Sequence, residues 1–219
     1  MQLQNSEVTE MAVTTINERD TVGTLGEIRL SLASIVFLLI LTIAAVLRFG
    51  YLGALPLAAD EARQALLAWD FWQPALHSAG AETVSPAYFT FTTVLFALIG
   101  AGDAVARLAP AIFGILTVTL PWLWRSELGN AGAFAASILL AVSPTLNMLS
   151  TTAGGEAISV FAVLLFFIAW MRFQAGGGRR WLLTSGIALG LGLATSPLFF
   201  SLMFSLLLAA LLHLSLIHI

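Results

Sequence analysis

The chain has no cysteine and no lysine, and only 10% of its 219 residues are charged. Without cysteine there are no disulfides, no thiolate metal site and no thiol chemistry. All nine basic residues are arginines, and the net charge of −3 comes with no basic stripe, which excludes a nucleic-acid-binding surface. Soluble domains carry about 25% charged residues. At 59% hydrophobic residues, this chain cannot cover a water-soluble globule with polar surface, so its solvent must be lipid. A cleavable signal peptide is missing too. Residues 1–29 are polar and mixed in charge (Glu7, Glu10, Glu18, Arg19, Asp20, Glu27), and the first apolar run begins only after Arg29. This leader reads as a disordered cytoplasmic tail.

Apolar runs occupy Leu30–Leu47, Ala87–Ile99, Leu108–Trp124, Ala131–Leu149, Ala157–Met171, Trp181–Thr195 and Leu198–Leu212. A transmembrane helix needs about 20 residues, with roughly 17 as the lower limit. Ser196-Pro197 separates the last two runs, because proline ends or kinks a helix. The run Ala87–Ile99 is short and threonine-rich, and the arginines decide whether it crosses. If it does, with the N-terminus inside, Arg125, Arg172, Arg179 and Arg180 face outward with Arg48 and Arg63. If it lies at the outer interface, those four join Arg19 and Arg29 inside, and only Arg48, Arg63 and Arg107 remain outside. The second arrangement satisfies the positive-inside rule. The expected fold is all-α: a polytopic bundle of about six spans over 30–213, with interfacial helices in one long outer loop, 48–107. That topology puts Asp60, Glu61, Arg107 and Glu156 on one side of the membrane.

Each of these residues has a structural and a chemical reading. Asp60-Glu61 follow Pro56 at the start of a helix expected over Ala59–Trp72, where acids suit the positive end of the helix dipole. They cap that helix, or they supply a catalytic carboxylate. Its Leu66, Leu67, Trp69, Phe71 and Trp72 suit a membrane interface. Glu156 follows Gly154-Gly155 between two apolar runs. An acid near a membrane is a functional candidate, though a hydrated helix start also accommodates one. Arg107 is either a snorkelling interfacial arginine or a phosphate ligand. His77 is a lone histidine in the outer loop, and Gly186, Gly190 and Gly192 lie in an apolar run whose G-x-x-x-G step reads as close helix packing.

In order, the chain carries Arg48-Phe49-Gly50-Tyr51-Leu52-Gly53, then Asp60-Glu61, then Ser85-Pro86-Ala87-Tyr88-Phe89. Ala106-Arg107-Leu108-Ala109-Pro110 and Ala141-Val142-Ser143-Pro144 follow, the latter just before Glu156. From about Arg48 to Pro197 this order resembles the GT-C superfamily of membrane glycosyltransferases. Within it, the chain is most similar to the protein O-mannosyltransferase and aminoarabinose-transferase group, and to bacterial and archaeal flippase-associated proteins of N-glycosylation clusters. The resemblance implies a multi-pass prokaryotic plasma-membrane enzyme with a cytoplasmic N-terminus. Its reaction is an inverting transfer of sugar from a polyprenyl-phosphate donor to an acceptor on the outer face. It also implies Asp60 and Glu61 as the catalytic acids, Arg107 on the lipid phosphate, and Glu156 as a second acidic site. If a divalent metal takes part, Asp60 and Glu156 are its ligands. The sequence departs from many relatives at Ser85-Pro86-Ala87, where they have His-Pro-Pro, and around Ser150–Glu156, where they have a basic residue and an Asp. The competing reading is a non-catalytic membrane component, a transporter-like or flippase-associated subunit. It requires polar groups lining a path through the spans, and only Asn147 and scattered Ser and Thr lie at depth.

Residues 214–219, Leu-Ser-Leu-Ile-His-Ile, are what a common sequencing adaptor encodes in one frame. They are expected to be read-through, with the natural chain continuing beyond His213.

Overall fold

The structure is a computed structural model that describes residues 32–50, 52–72 and 85–217. The leader 1–29, Tyr51, His77 and the final two residues lie outside the described residues. The chain divides into a unit over 1–35 and a unit over 36–219. The described part of the first is the opening turn of one helix.

All described secondary structure is helical, in the order α1 Leu32–Phe49, α2 Ala59–Asp70, α3 Pro86–Ile99, α4 Asp103–Ala106, α5 Leu108–Leu123, α6 Arg125–Val142, α7 Pro144–Thr151, α8 Glu156–Gln174, α9 Arg179–Leu193 and α10 Leu198–Ile217. Local chemistry sets most boundaries. Ser85 and Ser143 each accept a backbone N–H three residues on, from Tyr88 and Leu146, and each is followed by proline at the first helical position. Gly129, at φ 70°, interrupts α6 near its start. Thr195-Ser196-Pro197 ends α9 and restarts the chain as α10.

By length and composition, α1 and α8 can cross a membrane, and the pair α6–α7 can do so as one broken span bent by 56°. Two or three spans are therefore carried by helix length alone. Helices α3 and α5 are apolar but shorter, with 14 and 16 residues. The run Ala131–Leu149 is not one straight helix, because Ser143-Pro144 divides it. Exposed apolar side chains such as Leu39 (59%), Leu139 (68%), Ile187 (71%) and Phe204 (66%) stand on helix faces that water would not tolerate.

The helices sort their ends. Arg48 in the last turn of α1 donates to the carbonyls of Leu140 and Ala141 at the end of α6. The start of α3 meets the end of α9 through Ala87 N–H to Ala194 O at 2.7 Å. At the opposite end Arg172, closing α8, donates to Leu123 O at the end of α5 and lies 5.3 Å over the Trp181 ring at the start of α9. Arg48 was expected in a loop, yet it belongs to α1 and is 1% exposed. Helix C-termini present unpaired carbonyls and a negative dipole end, and the guanidinium answers both at the end of α6.

Of the three glycines in the run that announced close packing, one stands at a tight helix contact. A Cβ on Gly186 or Gly190 would meet nothing within 4 Å. On Gly192 it would sit 1.9 Å from the Phe199 ring, so Gly192 is where α9 and α10 approach.

Candidate active site

Helix α2 begins without a hydroxyl cap. Ala58 has no side-chain acceptor, so Glu61 at the third helical position supplies half of a capping box, accepting the Ala58 N–H at Oε2 (2.9 Å). Its other partners come from far along the chain. Arg107 donates from Nη2 to Oε2 at 2.7 Å and from Nε to Oε1 at 3.1 Å, a bidentate pair. Ala153 N–H, three residues before Glu156, donates to Oε1 at 2.7 Å. One buried carboxylate thus ties together the starts of α2 and α5 and the α7–α8 loop.

Arg107 is equally committed. Besides Glu61, its Nη1 donates to Leu52 O (2.9 Å) and Leu55 O (2.7 Å), and its Nη2 to Pro56 O (3.2 Å). A guanidinium has five N–H donors, and these contacts occupy all of them. The loop 52–56 is wrapped around the cation.

The electrostatics follow from this geometry. Burial alone pushes the Glu61 carboxyl up, but the hydrogen bonds from Arg107 and from the Ala58 and Ala153 amides outweigh it and hold the group down at about 2. The Glu61 bond raises the Arg107 guanidinium above its ordinary value. Burial pushes the Tyr88 hydroxyl up to about 12, and its proton is engaged with Ala106 O at 2.9 Å.

Beneath the charged groups lies a core of mostly small residues: Ala65, Ala68, Ala87, Ala106, Ala153 and Ile158 around Tyr88 and Phe96. Small side chains let the helix starts converge. A Cβ on Gly155 would lie 2.2 Å from Ser85 Oγ, so the α8 start and the α3 cap touch. Ser159 Oγ binds Gly155 O and the hydroxyls of Thr195 and Ser196 at 2.8–3.0 Å, fastening α8 to the α9–α10 break.

Asp60 differs from its neighbour in every respect. Its side chain is 91% exposed, and its recorded contact is a loose 4.0 Å pair with Arg63, itself 72% exposed. Glu156 opens α8 in a half-buried position, with its carboxylate turned back beside Gly154. The structure thus brings Glu61 and Arg107 into direct contact, with the Glu156 loop bonded to Glu61 and Asp60 next to it on the open side of α2. Among the described residues no group of three or more His, Cys, Asp or Glu side chains could hold a metal ion. The sequence marks Tyr88 only as part of the Ser85–Phe89 stretch, with no role of its own; its burial beside the Glu61–Arg107 pair depends on contacts that no local signal marks.

Asp103, Pro56 and Leu57 border an open, largely apolar groove of about 390 Å³ between α2 and α3, with Leu66, Trp69 and Phe96 on its walls.

No curated protein and no solved structure matches the chain. A family model described as dolichyl-phosphate-mannose-protein mannosyltransferase matches residues 83–218, more than half of the sequence. The match includes Tyr88, Arg107 and Glu156 and begins after Asp60 and Glu61. Taken with the apolar helices and the clustered helix starts, it shows that the chain belongs to the dolichyl-phosphate-mannose-protein mannosyltransferase family, membrane glycosyltransferases of the GT-C superfamily.

Proposed function

We propose that the chain transfers a sugar, in the manner of a mannosyltransferase, from a polyprenyl-phosphate donor to an acceptor hydroxyl or amide at the outer membrane surface. The observation that carries this reading is the convergence of Asp60, the Glu61–Arg107 pair and the Glu156 loop at one end of the helices. The donor's lipid lies in the bilayer and its phosphate at the surface, so chemistry on it belongs at helix ends. The arginines support the orientation. Arg125, Arg172, Arg179 and Arg180 lie on the helices and connections of the opposite end, which the positive-inside rule assigns to the cytoplasm. In this reading α1, α5, α6–α7, α8, α9 and α10 are six spans, and α2 and α3 lie at the interface.

Asp60 acts as the general base. It is the open carboxylate of the cluster, whereas a carboxylate held at about 2 is a weak base at neutral pH. Asp60 takes the acceptor's proton as the acceptor atom bonds to the anomeric carbon. The bond from that carbon to the phosphate oxygen breaks on the opposite face, polyprenyl phosphate leaves, and the anomeric configuration inverts. Glu61 and Arg107 are positioning residues that fix Asp60 and the 52–56 loop. Arg107 could touch the phosphate only by releasing a carbonyl. Arg63, exposed and held only by its loose 4.0 Å pair with Asp60, turns away from that base to meet the leaving phosphate on the other face of the sugar. Glu156 orients the acceptor from the facing loop.

The full chain, reconstituted in liposomes with radiolabelled polyprenyl-phosphate mannose, is expected to move label from the lipid to a water-soluble or acceptor-bound fraction. Label that stays on the lipid to the level of protein-free liposomes, for this donor and for other polyprenyl-phosphate sugars, overturns the proposal.

A further inference from the structure

At the end of the helices opposite the acidic site, a second groove of about 380 Å³ runs between α5, α6 and α8. Every lining residue is apolar; Leu139, Leu140, Leu164 and Phe167 are among them, and Trp124 and Leu128 line the part next to Arg125. The charges near that part are unbalanced. Arg125 follows Trp124 directly and stacks on Trp122 at 4.8 Å. Arg172 lies one helical turn beyond Ile168, another groove residue, and reaches across to Leu123 O and Trp181. Arg179 and Arg180 open α9, where the dipole is already positive. Gly178 offers no side-chain cap, and the first turn contains no acid. Glu127 is the carboxylate that these helices carry near this end, and no described carboxylate is ion-paired with any of the four arginines.

An uncapped helix start and four cations call for an anion, and an apolar channel ending among them calls for a hydrocarbon chain. We propose that this end binds an anionic phospholipid. One acyl chain lies in the Leu139–Leu164–Phe167 groove, and the headgroup phosphate sits between Arg125, Arg172 and the start of α9. The tryptophans at positions 122, 124 and 181 flank the headgroup level, where indole rings partition.

The site is independent of sugar transfer, and its test reads lipid retention. The full chain is incorporated in nanodiscs holding equal phosphatidylglycerol and phosphatidylcholine, extracted in mild detergent, and weighed by native mass spectrometry. Phosphatidylglycerol is expected to remain bound in preference. Arg125→Gln and Arg180→Gln, both at exposed positions, are each expected to weaken that preference about fivefold. Leu139→Trp, at a lipid-exposed groove position, is expected to release the bound lipid while circular dichroism stays unchanged. Equal retention of both lipids, or retention indifferent to all three substitutions, overturns the proposal. So does a second copy of the chain occupying the groove, seen as a dimer that displaces lipid.

Discussion

Two adjacent acids do opposite work. Glu61 is buried and accepts four hydrogen bonds, while Asp60 faces outward with one loose partner. A depressed carboxyl pKa stabilises the fold above the ordinary glutamate range, and that contribution is lost as pH falls toward the folded value. Thermal unfolding in detergent should therefore be insensitive to this group above about pH 4.5 and lose stability between there and about 2. Glu61→Gln should remove that acid-sensitive step. It should also lower stability by ~3–5 kcal/mol, since it leaves the Arg107 charge buried without its counter-ion. Arg63→Gln separates the two arginines. At 72% exposure its loss should change stability by no more than about 0.5 kcal/mol. Donor affinity, measured as KM for the lipid-linked sugar, should weaken about tenfold or more, because a charged hydrogen bond to phosphate is lost. An unchanged KM returns the phosphate contact to Arg107.

Helix positions were legible in the sequence where a local signal marks them. Ser85-Pro86 and Ser196-Pro197 each announce a boundary, whereas the run expected over Ala131–Leu149 passes over the break that Ser143-Pro144 makes; the other apolar runs match the observed helices to within a few residues at most ends. Contacts that depend on rotation about a helix axis were not legible. The run holding Gly186, Gly190 and Gly192 announced close packing, but not that Gly192 is the one that meets Phe199 of α10. Gly190→Ala should accordingly be tolerated, or stabilise the helix by up to ~1 kcal/mol from propensity alone. Gly192→Ala should cost ~1–3 kcal/mol as Phe199 is forced aside. Chemical denaturation of the two variants side by side checks the difference. Arg48 escaped sequence reasoning for a related reason. Its carbonyl partners lie more than 90 residues away, at the end of α6.

At the scale of the whole molecule, the arginine distribution predicted that Asp60, Arg107 and Glu156 share one side of the membrane; what the described residues show is Glu61, the neighbour of Asp60, bonded to Arg107 and to the Ala153 amide in the loop before Glu156. What the sequence could not reveal is that Glu61 and Arg107 would saturate each other, since that depends on how tightly the 52–56 loop wraps. The absence of cysteine makes the orientation directly testable. Single cysteines at Ala54 and Ser126, both exposed and at opposite ends, should react with a membrane-impermeant maleimide from opposite sides of sealed vesicles. Labelling from the same side contradicts the six-span topology. The most direct test of the proposed chemistry is the pairing of turnover with donor binding in Asp60→Asn. Because the side chain is exposed and outside the buried network, the variant should fold and bind donor like the parent. It should lose ~10²–10⁴-fold in sugar transfer, the contribution of a general base. Full transfer activity in Asp60→Asn contradicts the assignment of Asp60 as the base and with it the proposed mechanism.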